Sequence, residues 1–320
     1  MMSEKKLNLA FVFPGQGSQK VGMGMDLYEN HQKAREVFQE VDDTLNYNLS
    51  KIIFHGPEKL LTQTRNAQPA LMTLSIALVK VLEFELKQNF SSIASVVCGH
   101  SLGEYSALCS IDSLKLADTA KLLKIRGESM QNAVDSIETK MIAVIGMKLG
   151  VLEDLLVSEE SNEVCEIAND NCPGQIVLSG HKDKVDEIAK LCKVNGAKLI
   201  VDLNVSAPFH CSLMNPAMMV MKETLGNIKI QSPKTKFINN FNASLESEPK
   251  NIKNLLIKQI INRVRWRESI GLIFKSGIAN IVEIGSGNVL TGLNKRMGLK
   301  IEPEKINSLE DINVFLNKYF

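Results

Sequence analysis

The feature that most restricts how this chain can fold is a short apolar run that ends abruptly at a turn. LNLAFVF, residues 7–13, carries no charge and no polar alternation, and Pro14-Gly15 stops it. Such a run suits a strand covered on both faces, as strands of parallel sheets are. Helical spacing follows over residues 26–45 and 68–87, and SIASVVCGHSLGEYSALC then repeats the order strand, tight turn, helix. A further helix is expected over residues 114–134, with Arg126 on it. This is the order of an α/β domain built on a parallel sheet.

Between residues 141 and 201 the rhythm changes. MIAVIGM, EVCEIAND, QIVLSG and AKLIVDL read as strands, and VLEDLLVSEE and KVDEIAKLCKV as helices. The resulting order, β-α-β-β-α-β, is that of a ferredoxin-like unit. KTKFINN and NIVEIG then resume the first pattern as strands, so the unit reads as an insert: core 1–134 and 207–320, insert 135–206. The two junctions are expected to wall a cleft, and the polar residues 242–251 to form a surface loop.

A chain of 320 residues, 44% hydrophobic, is long enough to enclose a site. Its 37 Lys and Arg against 36 Asp and Glu leave no overall basic field for nucleic acid or an anionic membrane. The longest apolar stretch, residues 69–86, is broken by Lys80, Glu83 and Glu85, so a buried helix is expected rather than a membrane span. Six cysteines without a C-x-x-C pair, and an N-terminus without a signal-peptide pattern, point to a reducing cytoplasm. His and Cys are not grouped at metal-ligand spacing, and no metal is expected.

The segment Cys98-Gly99-His100-Ser101-Leu102-Gly103-Glu104 fits G-x-S-x-G between an expected strand and an expected helix. In that setting the serine sits on a strained elbow, the glycines admit close neighbouring chains, and the N–H of Leu102 is free to hold an oxyanion. The plainer alternative is a glycine-rich turn with a helix-capping serine. A serine nucleophile needs a base with a pKa near 7, and there are five histidines: His31, His55, His100, His181 and His210. His100 adjoins Ser101 and is expected to project away from it and line the pocket. His31, His55 and His181 lie in polar, helix-start or loop contexts, where a solvated histidine is the safer reading. His210 follows a Pro-Phe turn at the expected domain junction, where a lone histidine is more often structural.

Several segments in order resemble the malonyl-coenzyme A:acyl carrier protein transacylases of bacterial fatty acid synthesis. They are VFPGQGSQKVGMG, AQPALMT, GHSLGEYSAL, RGESMQ, PGQIVLSG, SAPFHC and VEIGSGNVLTGLNKR, which span nearly the whole chain. The resemblance implies an α/β-hydrolase-like core with a ferredoxin-like insert. It also implies an acyl-ester on Ser101, His210 as base, and a carbonyl of Gln259 orienting the imidazole. Arg126 would bind the malonyl carboxylate, the N–H of Gln16 would pair with that of Leu102 in the oxyanion hole, and Phe209 would bear on acyl choice. Arg263, Ser286 and Asn288 depart from the family pattern.

The implied reaction moves malonyl from malonyl-coenzyme A to acyl carrier protein, with the thioester as substrate and no cofactor, in a chain expected to be monomeric. Acyl carrier proteins are acidic, so Lys258, Arg263, Arg265 and Arg267 form one candidate docking patch, and Lys295 with Arg296 another. Asn169 and Asn171, before Pro173-Gly174-Gln175, lie between two expected strands as either a turn or part of the pocket wall. A related esterase or thioesterase would use the same elbow, but normally with an acid before the histidine and a His-Gly-Gly loop, which is absent. A non-catalytic scaffold would have no need of both Ser101 and His210.

Overall fold

The computed structural model describes residues 8–134, 137–158 and 161–320. One sheet has six strands, β1 (Leu9–Phe13), β2 (Val96–Gly99), β7 (Lys236–Ile238), β8 (Leu245–Glu246), β9 (Asn280–Ile284) and β10 (Glu302–Ile306), in the order β10-β9-β1-β2-β7-β8. All neighbours are parallel except β7 and β8. The second sheet has four strands, β3 (Thr139–Ile145), β4 (Cys165–Cys172), β5 (Gln175–His181) and β6 (Leu199–Asp202), antiparallel in the order β4-β5-β3-β6. With helices Leu149–Ser158 and Lys182–Val194 between its strands, the second sheet is the ferredoxin-like unit. The first is the α/β core. The expected start of the insert, Asp135, lies outside the described residues, as do Glu159 and Glu160 of the expected insert helix.

The uninterrupted apolar character of β1 follows from its position in the middle of the sheet. Leu9, Phe11 and Phe13 face one hydrophobic cluster, while Ala10 and Val12 face another that contains Trp266, Val96 and Cys98. Both sides of the pleat are dry, so alternation would bury unpaired polar groups. The helix Thr64–Leu86 is buried along most of its length, and among the described residues no helix is long and apolar enough to cross a membrane.

Four local expectations need correction. Residues 26–45 form two helices, Met25–Asn30 and Gln32–Leu45. His31 breaks them with an extended backbone, and its Nδ1 accepts the N–H of Lys33 at 3.1 Å. His31 and His181 are thus partly buried: the ring of His181 accepts the N–H of Val164 at 2.7 Å, and only His55 of the three is exposed. The stretch 242–251 contains β8, paired antiparallel to β7, and the start of helix Pro249–Gln259, because the Asn239 side chain closes the hairpin on Ser244 O at 2.8 Å. Asn169 and Asn171 lie within β4, not in the turn that follows it.

The elbow after β2 depends on its glycines. A β-carbon on Gly99 would lie 1.9 Å from the carbonyl carbon of Gly103, and one on Gly103 would lie 2.2 Å from Phe13 O. Both obstacles are backbone, which cannot rotate aside. Gly103→Ala is therefore expected to cost at least about 3 kcal/mol, read as a shifted urea midpoint, and to remove activity. A variant of wild-type stability would mean that the strand and helix are not packed this closely.

Candidate active site

The elbow places Ser101 between β2 and helix Gly103–Ser110 with φ 55°, a left-handed conformation that a serine rarely adopts. Hydrogen bonds hold it there from both sides. Its N–H donates to Asn240 Oδ1 at 2.8 Å, and its carbonyl accepts from Gln259 Nε2 at 2.9 Å. Asn240 also donates from Nδ2 to Gly99 O at 2.7 Å, so one amide spans the turn.

Ser101 Oγ lies 2.8 Å from His210 Nε2, although 109 residues separate them. The other ring nitrogen, Nδ1, lies 2.8 Å from the backbone carbonyl of Gln259, which can only accept. Nδ1 therefore carries the proton and Nε2 is the acceptor that faces the serine hydroxyl. His210 also has a positive φ, 60°, fixed between these two contacts. Burial, and then the positive charge of Arg126, push its pKa down to about 3.

The sign of that shift gives a testable profile. A base with a depressed pKa stays neutral as the pH falls through 6.5, so kcat/KM for acylation is expected to stay nearly flat down to about pH 5. An inflection centred near 6.5 would contradict this environment. In the unfolded chain His210 would protonate below about 6.5, the ordinary histidine value, so its burial also lowers stability as the pH falls from there towards about 3.

Arg126 lies on helix Leu116–Asn132 and is 1% exposed. Its Nη1 donates to Gln68 Oε1 at 2.8 Å, and Nη2 donates to Gln259 Oε1 at 2.8 Å and to Ser101 Oγ at 3.1 Å. Its Nε has no hydrogen-bond partner among the described residues. A buried guanidinium with donors still free is the group expected where a carboxylate is to be received. Its charge next to Oγ also favours the alkoxide that forms when the serine is deprotonated.

Gly15 packs against His100, since a β-carbon there would lie 2.8 Å from His100 O, and this brings the loop after β1 against the elbow. Among the described residues, the backbone N–H groups of Gln16 and Leu102 have no protein acceptor. The Gln16 side chain is held by Thr64 Oγ1 at 3.2 Å, which in turn meets Ser206 Oγ at 2.7 Å. His100 turns to Asn171 Oδ1, 2.9 Å from its Nε2, and its ring packs against Trp266. Phe209 is buried beside the base.

Asn169 is buried at the seam where β4 meets the core. There Val264 N donates to Ala168 O at 2.8 Å and Asp170 N donates to Val264 O at 2.9 Å. The same seam absorbs most of the first expected basic patch. Arg267 grips buried Asp170 with Nε and Nη2, Arg265 pairs with Glu268 at 2.8 Å, and Arg263 pairs with Glu153 at 2.7 Å. The departure at Arg263 thus joins core to insert, and that at Ser286 donates to Ser18 O at 2.5 Å. Nothing in the structure explains Asn288. Lys295 and Arg296 are exposed, with no acidic partner among the described residues. No group of three or more His, Cys, Asp or Glu among the described residues could hold a metal ion.

Asn240, Gln68 and Glu104 were not singled out from sequence. Asn240 follows β7, and the carboxyl ends of strands are where open α/β sheets build their sites. Glu104 and Gln68 each fall inside a segment already noted, without a residue-type signal of their own.

A serine on a strand-to-helix elbow, with a histidine ring nitrogen and a buried guanidinium within hydrogen-bond distance of its hydroxyl, is the arrangement that a serine acyltransferase or hydrolase requires. The chain belongs to the acyl transferase domain family, whose model matches residues 10–306. It is 42% identical over 309 residues to the malonyl CoA-acyl carrier protein transacylase of Bacillus subtilis, covering 96% of this chain and 95% of that protein. It is similar to the acyl-carrier-protein-S-malonyltransferase structure from Bartonella henselae, with TM-score 0.93, 46% identity and 97% and 98% of the two chains covered. It is also similar to a malonyl-transacylase solved in complex with its type II PKS acyl-carrier protein, with TM-score 0.92, 34% identity and 97% and 99% covered.

Proposed function

We propose that this chain carries a malonyl group from coenzyme A, through an ester on Ser101, to the phosphopantetheine thiol of an acyl carrier protein in fatty acid synthesis. One observation carries the reading. Ser101 Oγ lies within hydrogen-bond distance of His210 Nε2 and of Arg126 Nη2, so nucleophile, base and carboxylate binder converge on one atom. An esterase for neutral acyl groups has no use for a buried guanidinium at that place.

In the first half-reaction Ser101 gives its proton to His210 Nε2 and attacks the thioester carbonyl, while Arg126 holds the distal carboxylate. The N–H groups of Leu102 and Gln16 take the oxyanion. The tetrahedral intermediate collapses by breaking the C–S bond, and the imidazolium proton goes to the departing coenzyme A thiolate. In the second half-reaction the carrier thiol gives its proton to His210 and attacks the ester, and Ser101 recovers the proton as it leaves. A carbonyl of Gln259 orients the imidazole without adding a negative charge. Phe209, buried beside His210, shapes the acyl pocket. Lys295 and Arg296 offer a positive surface to the acidic carrier protein. Every group named comes from one chain, so a monomer suffices.

Intact-protein mass spectrometry tests this. Mixing with malonyl-coenzyme A is expected to add one malonyl group, and adding holo acyl carrier protein to remove it with transfer to the carrier. Loss of the adduct to water faster than to the carrier would instead mark a hydrolase.

A further inference from the structure

Glu104 is 1% exposed beneath the elbow and has no part in the reaction just described. One oxygen accepts the backbone N–H of Asn240 at 2.7 Å, and the other accepts Gln259 Nε2. The same Gln259 amide turns its Oε1 to Arg126 Nη2 at 2.8 Å. A single neutral amide therefore lies between a buried carboxylate and a buried guanidinium. Neither forms a direct ion pair among the described residues. Each still feels the other: the charge of Glu104 favours the guanidinium cation, and Arg126 favours the carboxylate.

We propose that Glu104 is the internal counter-ion of Arg126, and that its carboxylate competes with the malonyl carboxylate for the one guanidinium and so limits how tightly the acyl group is held. The inference rests on the malonyl reading above. Its physical basis is charge counting in a dry site. With the pocket empty and Glu104 ionised, Arg126 and Glu104 balance across Gln259. A bound malonyl group adds a second negative charge to the same cation, and the two carboxylates then oppose each other through a medium that screens them poorly. A transferase that must release its acyl group to a second thiol gains from a grip weakened in this way, because tight binding of the acyl-enzyme would slow the second half-reaction.

The competition has a pH signature. Burial pushes the Glu104 carboxyl up to about 8, so it loses its proton within the neutral-to-alkaline range. The titratable groups around it are Arg126 on helix Leu116–Asn132, Cys98 on β2 and Tyr105 on its own helix. Burial raises both the Cys98 thiol and the Tyr105 hydroxyl well above that range, Tyr105 to about 12, and His210 is already neutral. As the pH rises and Glu104 ionises, malonyl should therefore be held less tightly relative to an acyl group without a carboxylate.

The experiment compares malonyl-coenzyme A with acetyl-coenzyme A binding to Ser101→Ala protein, which cannot be acylated, from about pH 6.5 to about pH 9. The ratio of the two affinities removes any titration of coenzyme A itself. The malonyl preference is expected to fall about ten-fold as the pH rises, and Glu104→Gln is expected to restore it at high pH and abolish the pH dependence. Where Glu104→Gln does not fold, the pH dependence of the ratio in the Ser101→Ala protein decides alone. A flat ratio overturns the proposal, and so does weaker malonyl binding in Glu104→Gln, which is the result a purely structural role predicts. Failure of the Ser101→Ala protein to prefer malonyl- over acetyl-coenzyme A at any pH would count against the malonyl reading itself.

Discussion

Ser101→Ala protein mixed with malonyl-coenzyme A is expected to gain no mass, and its transfer rate to fall by about 10⁴-fold or more. Nucleophile and base act as a unit, so loss of either removes nearly all of their combined effect. The N–H groups of Gln16 and Leu102, proposed to hold the oxyanion, remain and would leave only a residual rate. Folding should survive, because alanine occupies the positive-φ position about as well as serine, and the clamps from Asn240 and Gln259 engage backbone atoms of residue 101. A malonyl adduct that persists in Ser101→Ala would place the nucleophile elsewhere and end the mechanism. The observation at stake is the 2.8 Å contact between Ser101 Oγ and His210 Nε2.

Arg126→Ala is expected to lower kcat/KM for malonyl transfer by about 10²- to 10³-fold while sparing or improving acetyl transfer. A charge-assisted pair in a dry site is worth about 3–5 kcal/mol when one partner is removed, because the other charge is then stranded. The acetyl group has no such charge and meets a roomier, less polar pocket. The substitution also leaves Gln68 Oε1 and Gln259 Oε1 without their donor, so some stability is lost whichever substrate is used. The ratio between substrates is therefore the decisive readout. Equal losses for malonyl and acetyl would show that Arg126 supports the elbow rather than recognising the acyl group.

The parts of the fold legible from sequence are those where a local pattern and a tertiary demand coincide. β1 reads as a doubly covered strand because its pleat faces hydrophobic clusters on both sides. The elbow reads correctly because backbone packing excludes any β-carbon at Gly99 and Gly103. The break at His31 was hidden, because amphipathic spacing continues across it and only a side-chain cap divides the helices. β8 was hidden too, since two residues on a sheet edge carry no periodicity that a polar loop lacks.

Within the candidate site, the serine and its turn were visible in the residues themselves, whereas the roles of His210 and Arg126 rested on resemblance. Asn240 and Glu104 had neither. Both act through hydrogen bonds to groups more than a hundred residues away, and such pairings leave no trace in spacing.

Chemistry set by neighbours along the chain was thus decided by sequence: a strained turn, a free N–H at a helix start, a strand dry on both faces. Only the tertiary structure decided which histidine meets the serine, that a Gln259 carbonyl fixes its tautomer, and that one amide links Arg126 to a buried acid. The physical reason is that local sterics act over a few residues, whereas the charge and hydration of a side chain depend on everything the fold packs around it.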